Sequence, residues 1–210
     1  MSFLFVKEKL LLQKKTVMKN FIVLGLVLIS FIAKAQEVEK VSVEKSMNSV
    51  QLGLLSLSYQ NETRLDRKIT LRSEMGLSTG TSIIEYPDGH NEKSFLIVPF
   101  VNVEPRWYHS LDRRSRLNRN TINNGSNYVS LLTTFVPSRM ALVNTKDFET
   151  APFVQIIPEY GIRRSIGKHF FSEYSAGLGL RHNFFDKSYI YSIDENEVIF
   201  DFQFKFGYIF

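Results

Sequence analysis

The sequence predicts an all-β fold: a closed, antiparallel, up-and-down transmembrane β-barrel of eight strands. Apolar and polar residues alternate with period two along much of the chain after Gln36, which indicates strands with two unlike faces. These stretches run for about ten residues or more, whereas strands of soluble domains average about 5–6 residues and a tilted strand needs about 9–11 to cross a bilayer. No apolar run after Gln36 is long enough for a membrane-spanning helix. A sheet in lipid has to close, because each backbone N–H and C=O there needs an internal partner.

The N-terminal segment has the layout of a cleaved signal peptide. A basic residue precedes an apolar run over residues 21–32, and an Ala-Lys-Ala motif then places small residues where a signal peptidase cuts. As a helix the run is about 18 Å long, too short for a bilayer core of about 30 Å. We therefore expect residues 1–35 to be an N-terminal extension and signal peptide, with Met18 as the candidate true start. Residues 36–210 form one barrel domain in this interpretation, and an uncleaved membrane anchor is the alternative.

The mature chain carries no net charge. The whole sequence has 26 Lys and Arg against 21 Asp and Glu, a net charge of +5, but residues 1–35 hold six of the basic residues and one acidic residue. A nucleic-acid-binding domain would keep a basic excess, so we expect no nucleic-acid partner. The absence of cysteine excludes disulfides, thiolate metal sites and cysteine nucleophiles.

The alternation is clearest at the C-terminus, where aromatic residues occupy six consecutive even positions: Phe200, Phe202, Phe204, Phe206, Tyr208 and Phe210. In a strand these side chains share one face. Comparable stretches predict seven strands in all, at residues 50–59, 68–80, 95–108, 128–136, 153–165, 169–184 and 200–210. Segments rich in turn-forming residues separate them, among them residues 61–67 and 86–89.

Seven strands leave a problem of parity, because bacterial membrane barrels have an even number of strands. About 175 mature residues suit eight strands, a number whose lumen side chains can fill. If the C-terminus lies at the periplasmic end, the strand at 50–59 needs a preceding strand of opposite direction. We expect that strand at residues 39–47, and a short strand within residues 139–144 is the alternative.

The more polar face of the predicted strands carries ten charged residues, five basic and five acidic: Arg72, Glu74, Glu104, Arg106, Glu159, Arg163, Glu173, Arg181, Asp201 and Lys205. A buried charge needs a partner, and equal numbers permit pairing. We therefore expect an interior network of ion pairs that closes the lumen. The alternative is that several of these charges lie in water near strand ends, where pairing contributes little.

The ending Phe206-Gly207-Tyr208-Ile209-Phe210, together with residues 104–108, 123–128 and 160–169, resembles the small outer-membrane β-barrel superfamily of OmpA-, OmpX- and OmpW-like proteins. The chain is most similar to uncharacterised members from the Bacteroidota. The resemblance implies export to the outer membrane of a Gram-negative-type cell, with outer-membrane lipid and the barrel-assembly machinery as partners. It also implies that Phe206, Tyr208 and Phe210 form the assembly signal, and a monomer is favoured.

No pattern in the sequence specifies an enzyme, so we expect neither catalytic residues nor a cofactor nor a metal. His109 and Ser110 are neighbours and point to opposite faces of a strand. His169, Ser172 and Glu173 are close in sequence, but Ser172 lies on the other face. His90 stands beside acidic residues in a predicted outer loop, without convincing ligand spacing. Catalytic groups brought together from separate strands remain an open alternative.

Four arginines within residues 113–119 form the densest charge cluster: Arg113, Arg114, Arg116 and Arg119. One interpretation is contact with anionic lipid headgroups or lipopolysaccharide phosphates, and the other is a solvated turn. The strand count places the cluster at the periplasmic end, where lipopolysaccharide is absent.

The function expected from these observations is a structural or loop-mediated binding role for a barrel with a polar, plugged interior. Three alternatives stay open. They are a narrow passive channel for small solutes, a lipid-modifying barrel enzyme, and a soluble periplasmic binder of lipocalin type, which would have an apolar lumen and a polar exterior.

Overall fold

The computed structural model of the protein describes residues 41–85, 91–137, 142–144, 152–184 and 195–210. The predicted leader, the turn at 86–89 and His90 lie outside the described residues. The regular elements follow in chain order: β1 (Ser46–Gly53), β2 (Ser56–Asp66), β3 (Ile69–Glu85), β4 (Asn91–Trp107), α1 (Leu111–Arg116), a 3₁₀ turn (Ile122–Asn124), β5 (Asn127–Val136), β6 (Val143–Asn144), β7 (Phe153–Ile166), β8 (Phe170–Asn183) and β9 (Asn196–Ile209).

Eight of these strands form a closed ring. Each of them pairs antiparallel with its sequence neighbour, and β1 pairs with β9 to close the barrel. The two-residue β6 pairs with β4 beyond the end of β5 and takes no part in the closure. The predicted closed, eight-stranded, up-and-down barrel is therefore confirmed. Among the described residues, no helix is long and apolar enough to cross a membrane.

The eighth strand does not lie where the sequence analysis placed it. The predicted strand at 50–59 is two strands, β1 and β2, joined by a tight turn at Leu54 and Leu55, with Leu52 paired to Leu57. The predicted turn at 61–67 belongs mostly to β2. Among the described residues of the two candidate segments, 39–47 and 139–144, Ser46 and Met47 begin β1, while Val143 and Asn144 form β6 outside the ring.

The two ends of the barrel differ. At the end called here the termini end, β1 begins, β9 finishes, and β2–β3, β4–β5 and β7–β8 are connected. The long β4–β5 connection covers this end and contains α1, a helix that the sequence pattern does not predict. Leu111 of α1 packs in a buried cluster with Val43, Tyr108 and Tyr128. This cluster lies at the termini end of the barrel. The opposite end is called the loop end.

Two interior aromatic rings lie over glycines of the next strand. Tyr128 pairs with Gly161 and Phe171 pairs with Gly207. A Cβ added to Gly161 would lie 2.0 Å from Tyr128 Cζ, and one added to Gly207 would lie 2.2 Å from Phe171 Cζ. Each glycine therefore provides the space into which a fully buried ring fits.

We expect Gly161→Ala to destabilise the barrel by about 2 kcal/mol, because the added methyl group overpacks against a ring that cannot move into solvent. The measurement is the unfolding free energy in detergent. Gly80→Ala is the matched control, since Gly80 is exposed in β3 with nothing within 4 Å of an added Cβ. Equal effects of the two substitutions would contradict the predicted packing.

Candidate functional site

The centre of the lumen is an ion-pair network around Glu173 of β8. Its carboxylate lies 3.0 Å from Arg72 Nη1, 2.7 Å from Arg106 Nη2 and 3.1 Å from Arg163 Nε. These arginines come from β3, β4 and β7, and each is at most 1% exposed. The two carboxylate oxygens of Glu173 therefore link β8 to three other strands of the barrel.

Further carboxylates complete the pairing of these arginines. Glu104 contacts Arg72 and lies 3.0 Å from Arg106 Nε. Glu62 of β2 lies 2.6 Å from Arg163 Nη1 and also accepts a hydrogen bond of 2.7 Å from Tyr108 Oη. Charge-assisted hydrogen bonds of this kind are the strong ones in a protein interior.

A second part of the network lies toward the loop end, around Glu74. Lys205 Nζ lies 3.1 Å from Glu74 Oε1. Gln51 and Ser58 donate to the same oxygen at 2.7 Å each, and Asn102 donates to Glu74 Oε2 at 3.1 Å. Arg72 Nη2 lies 3.3 Å from Glu74 Oε2, so the carboxylate is held by two cations and by polar side chains of three strands.

Aromatic rings cover two of the buried guanidinium groups. The Arg106 guanidinium lies 4.1 Å from the ring centroid of Tyr128, and that of Arg163 lies 4.2 Å from the centroid of Phe171. Both rings are the ones seated over glycines. A ring face attracts a cation, and the attraction is larger where water is excluded.

The structure brings seven of the ten predicted interior residues into this network: Arg72, Glu74, Glu104, Arg106, Arg163, Glu173 and Lys205. Arg181 lies nearer the loop end, 3.8 Å from Glu197 in a partly exposed pair. Sequence reasoning missed Glu62, because it falls in a segment taken as a turn. The alternation of Ser58, Gln60 and Glu62 with Leu57 and Tyr59 was the signal that could have found it.

The remaining two residues, Glu159 and Asp201, have no basic partner among the described residues. Both are in register with Gly177, which lies between them on the inner face. The glycine leaves room for the two carboxyl groups to approach within hydrogen-bonding reach of each other. Glu159 is 3% exposed and its Oε1 atom has no hydrogen-bond partner in the described structure, while Asp201 accepts a bond of 2.6 Å from Gln203.

The charge balance of the network explains why this pair stands apart. Four basic residues, Arg72, Arg106, Arg163 and Lys205, are matched by four acidic residues, Glu62, Glu74, Glu104 and Glu173. Arg181 is engaged with Glu197. The buried Glu159 and the partly exposed Asp201 are therefore acidic residues in excess, for which the described interior holds no cation.

A cavity of about 330 Å³ lies above the network, toward the loop end. Its lining combines two aromatic rings with charged and amide side chains: Phe100, Phe153, Asn102, Gln155, Arg181 and Asp201. Arg181 lies 4.4 Å from the ring centroid of Phe153 and donates to Gln155 Oε1 at 3.1 Å. This vestibule has the mixed polar and aromatic lining of a site for a small polar ligand.

The considered catalytic combinations are not assembled. His109 packs against the rings of Trp107 and Tyr160, at centroid distances of 5.9 and 5.8 Å. The adjacent Ser110 Oγ lies 2.9 Å from Ser126 Oγ. His169 is exposed at the β7–β8 turn and stacks on Tyr208, whereas Glu173 is bound within the network. Within the described ranges, no three His, Asp or Glu side chains converge as a metal site.

The three predicted assembly-signal residues lie on the outside of the barrel at the termini end. Phe206 and Tyr208 both contact Phe170, at ring-centroid distances of 5.6 and 5.2 Å. Phe210 is 63% exposed. Comparison of the chain with protein-family models, with curated proteins and with solved structures finds no match.

We expect Arg106→Ala to destabilise the folded barrel by about 3–5 kcal/mol, because it removes a cation from the buried carboxylates of Glu104 and Glu173. Unfolding in detergent measures the change. Arg116→Ala is the control, since Arg116 is exposed on α1 and its loss should change stability by about 0.5 kcal/mol or less. An unchanged midpoint for Arg106→Ala would contradict the role given to the network.

Glu159→Gln should change the stability of the barrel at neutral pH by about 1 kcal/mol or less, because two carboxyl groups this close without a cation already share a proton and a Gln amide can donate in its place. The same chemical change at Glu173 should destabilise the barrel by about 3 kcal/mol or more, because three arginines would then lack their shared carboxylate. Unfolding midpoints of the two variants, measured side by side, test this. Destabilisation by both substitutions would show that Glu159 has a favourable partner.

Proposed function

We propose that the protein is an outer-membrane β-barrel of a Gram-negative-type cell, with a plugged lumen and a structural or ligand-binding role at its loop end. The proposal is supported above all by the exterior of the barrel, which is apolar around its whole circumference. Every strand of the ring contributes large apolar side chains to it, including Leu52, Leu57, Met75, Val101, Leu131, Ile156, Leu178 and Phe200, which are all more than 40% exposed.

The contrast between the two faces of the sheet favours lipid over water outside. An exposed apolar surface of this extent is unfavourable in water at about 25 cal/mol per Å². The interior, by contrast, carries the buried charges. A lipocalin-type binder would have these two faces exchanged. The strands β7, β8 and β9 have 14 residues each, more than the roughly 9–11 that a tilted strand needs to cross a bilayer.

The closed lumen favours a structural or binding role over conduction. Arg72, Arg106 and Arg163 fill the cross-section together with Glu173, and the Tyr108–Leu111 cluster seals the termini end. The vestibule is thus a pocket that is open only toward the loop end in this proposal. A ligand of the vestibule would meet Arg181, Asp201 and the amide side chains around them.

The first test is the location and heat-modifiability of the protein. We expect it to sediment with the outer membrane and to change its electrophoretic mobility in mild detergent on boiling. Release by osmotic shock without such a change would overturn the proposal. In planar bilayers we expect no stable conductance, because the network blocks the lumen. A steady ohmic conductance would instead identify the narrow-channel alternative.

A matched pair of substitutions tests, independently of fractionation, whether the outer face of the barrel contacts lipid or water. Leu131→Arg places a charge at the middle of the outer face of β5 and should cost about 2–4 kcal/mol if that face contacts hydrocarbon. Leu117→Arg, outside the strands, should change stability by about 0.5 kcal/mol or less. Both leucines are exposed, at 43% and 53%, so a soluble barrel would tolerate the two changes equally.

A further inference from the structure

Three arginines converge at the termini end without a carboxylate between them. Arg114 and Arg119 come from the β4–β5 connection, and Arg164 from the outer face at the end of β7. Arg119 donates its backbone N–H to Arg114 O at 2.9 Å. Arg164 is close enough to Arg114 and Arg119 for the charges of both to repel its own. Burial, and then the charge of Arg119, lower the pKa of Arg114.

No acidic side chain of the described residues neutralises this cluster. The nearest acid in sequence, Asp112, is engaged by Arg67 at 2.7 Å and by Lys68 at 2.5 Å. The hydrogen bond from Arg67 lowers the pKa of Asp112 to about 2, outweighing the opposite effect of burial. Its negative charge is therefore taken up by another pair of cations.

The cluster is held in place rather than carried on a free loop. Arg114 Nη2 donates to Asn120 O at 2.9 Å, and Arg164 Nη2 donates to Asn127 Oδ1 at 2.7 Å. The connection itself is bonded to the barrel, because Asn123 Nδ2 donates to Lys168 O at 2.7 Å. Arg164 Nη1 also donates to Arg163 O at 2.7 Å, and repelling charges fixed in this way favour the binding of an anion more than a free cationic surface does.

A belt of outward-facing aromatic side chains adjoins the cluster. Trp107, His109 and Tyr160 are in successive ring contact. Asn127 Nδ2 donates to Tyr160 Oη at 2.7 Å, while the Oδ1 atom of the same residue accepts from Arg164. The contacts thus run without a break from an exposed tryptophan to the arginines. Aromatic residues of this kind lie at the headgroup level of a membrane barrel.

We propose that Arg114, Arg119 and Arg164 bind the phosphodiester headgroup of an anionic phospholipid, whose acyl chains lie on the outer face beside Trp107 and Tyr160. The guanidinium fork matches two phosphate oxygens, and three such groups with no carboxylate favour an anion over a zwitterion. The inference rests on the proposed membrane location, because it requires the termini end of β7 to lie at a lipid headgroup layer.

Trp107 is the only tryptophan of the sequence and reports on the site directly. The protein is inserted into vesicles in which either phosphatidylglycerol or phosphatidylcholine is brominated near the headgroup. We expect brominated phosphatidylglycerol to quench Trp107 several-fold more effectively at equal mole fraction. The R119Q/R164Q variant should lose this preference, so that the two brominated lipids quench about equally. The R113Q/R116Q variant removes two exposed arginines of α1, the helix that carries Arg114, as the matched control and should keep the preference.

The possible outcomes test the lipid site and the membrane location separately. Equal quenching by the two lipids, or an equal loss in both double variants, overturns the lipid site. Loss of the preference on adding inorganic phosphate shows a site for free phosphate and also overturns it. Failure of the protein to insert even into neutral vesicles contradicts the membrane location itself. Arg119→Gln alone, which removes an exposed side chain, gives the same readout if R119Q/R164Q does not fold.

Discussion

The structure depends on one constraint: charges sealed inside a closed barrel have to satisfy one another. Glu173 shows how this acts, because the three arginines that hold it come from three other strands. Slipping a strand that carries one of these charges by one residue would move the charged side chain to the outer face. The network therefore helps to specify the register of the strands, and it also fills the lumen. Breaking one ion pair affects several strands at once.

Packing and electrostatics share the same side chains in this interior. Tyr128 and Phe171 are wide rings in a narrow lumen, and each has room because the neighbouring strand carries a glycine in register. The face of each ring that points inward covers a guanidinium group. Small and large residues thus alternate between neighbouring strands, which fills the cross-section while the cations remain in contact with both carboxylates and ring faces.

The inward faces of the longer strands could be predicted from the sequence, because period-two alternation is a local property. The β1–β2 hairpin could not, since its turn consists of Leu54 and Leu55 and carries none of the usual turn residues. That error hid Glu62 and made the interior charges look balanced. With Glu62 counted, the network closes without Glu159 and Asp201, and these become the excess. Which arginine meets which carboxylate depends on contacts between residues far apart in sequence, such as Arg72 and Glu173, and period-two alternation carries no information about those.

The two ends of the barrel are chemically unlike, and this restricts where each kind of binding can occur. In the proposed function the network and the Tyr108–Leu111 cluster plug the lumen, so a solute would have to enter the vestibule from the loop end. There it meets Asp201, part of the interior's excess acid, and Arg181, whose charge is shared with Glu197. At the termini end the excess is of the opposite sign and lies outside the lumen, around Arg164. The proposed small polar ligand and the proposed anionic headgroup would therefore bind at different ends of the molecule, and neither site could substitute for the other.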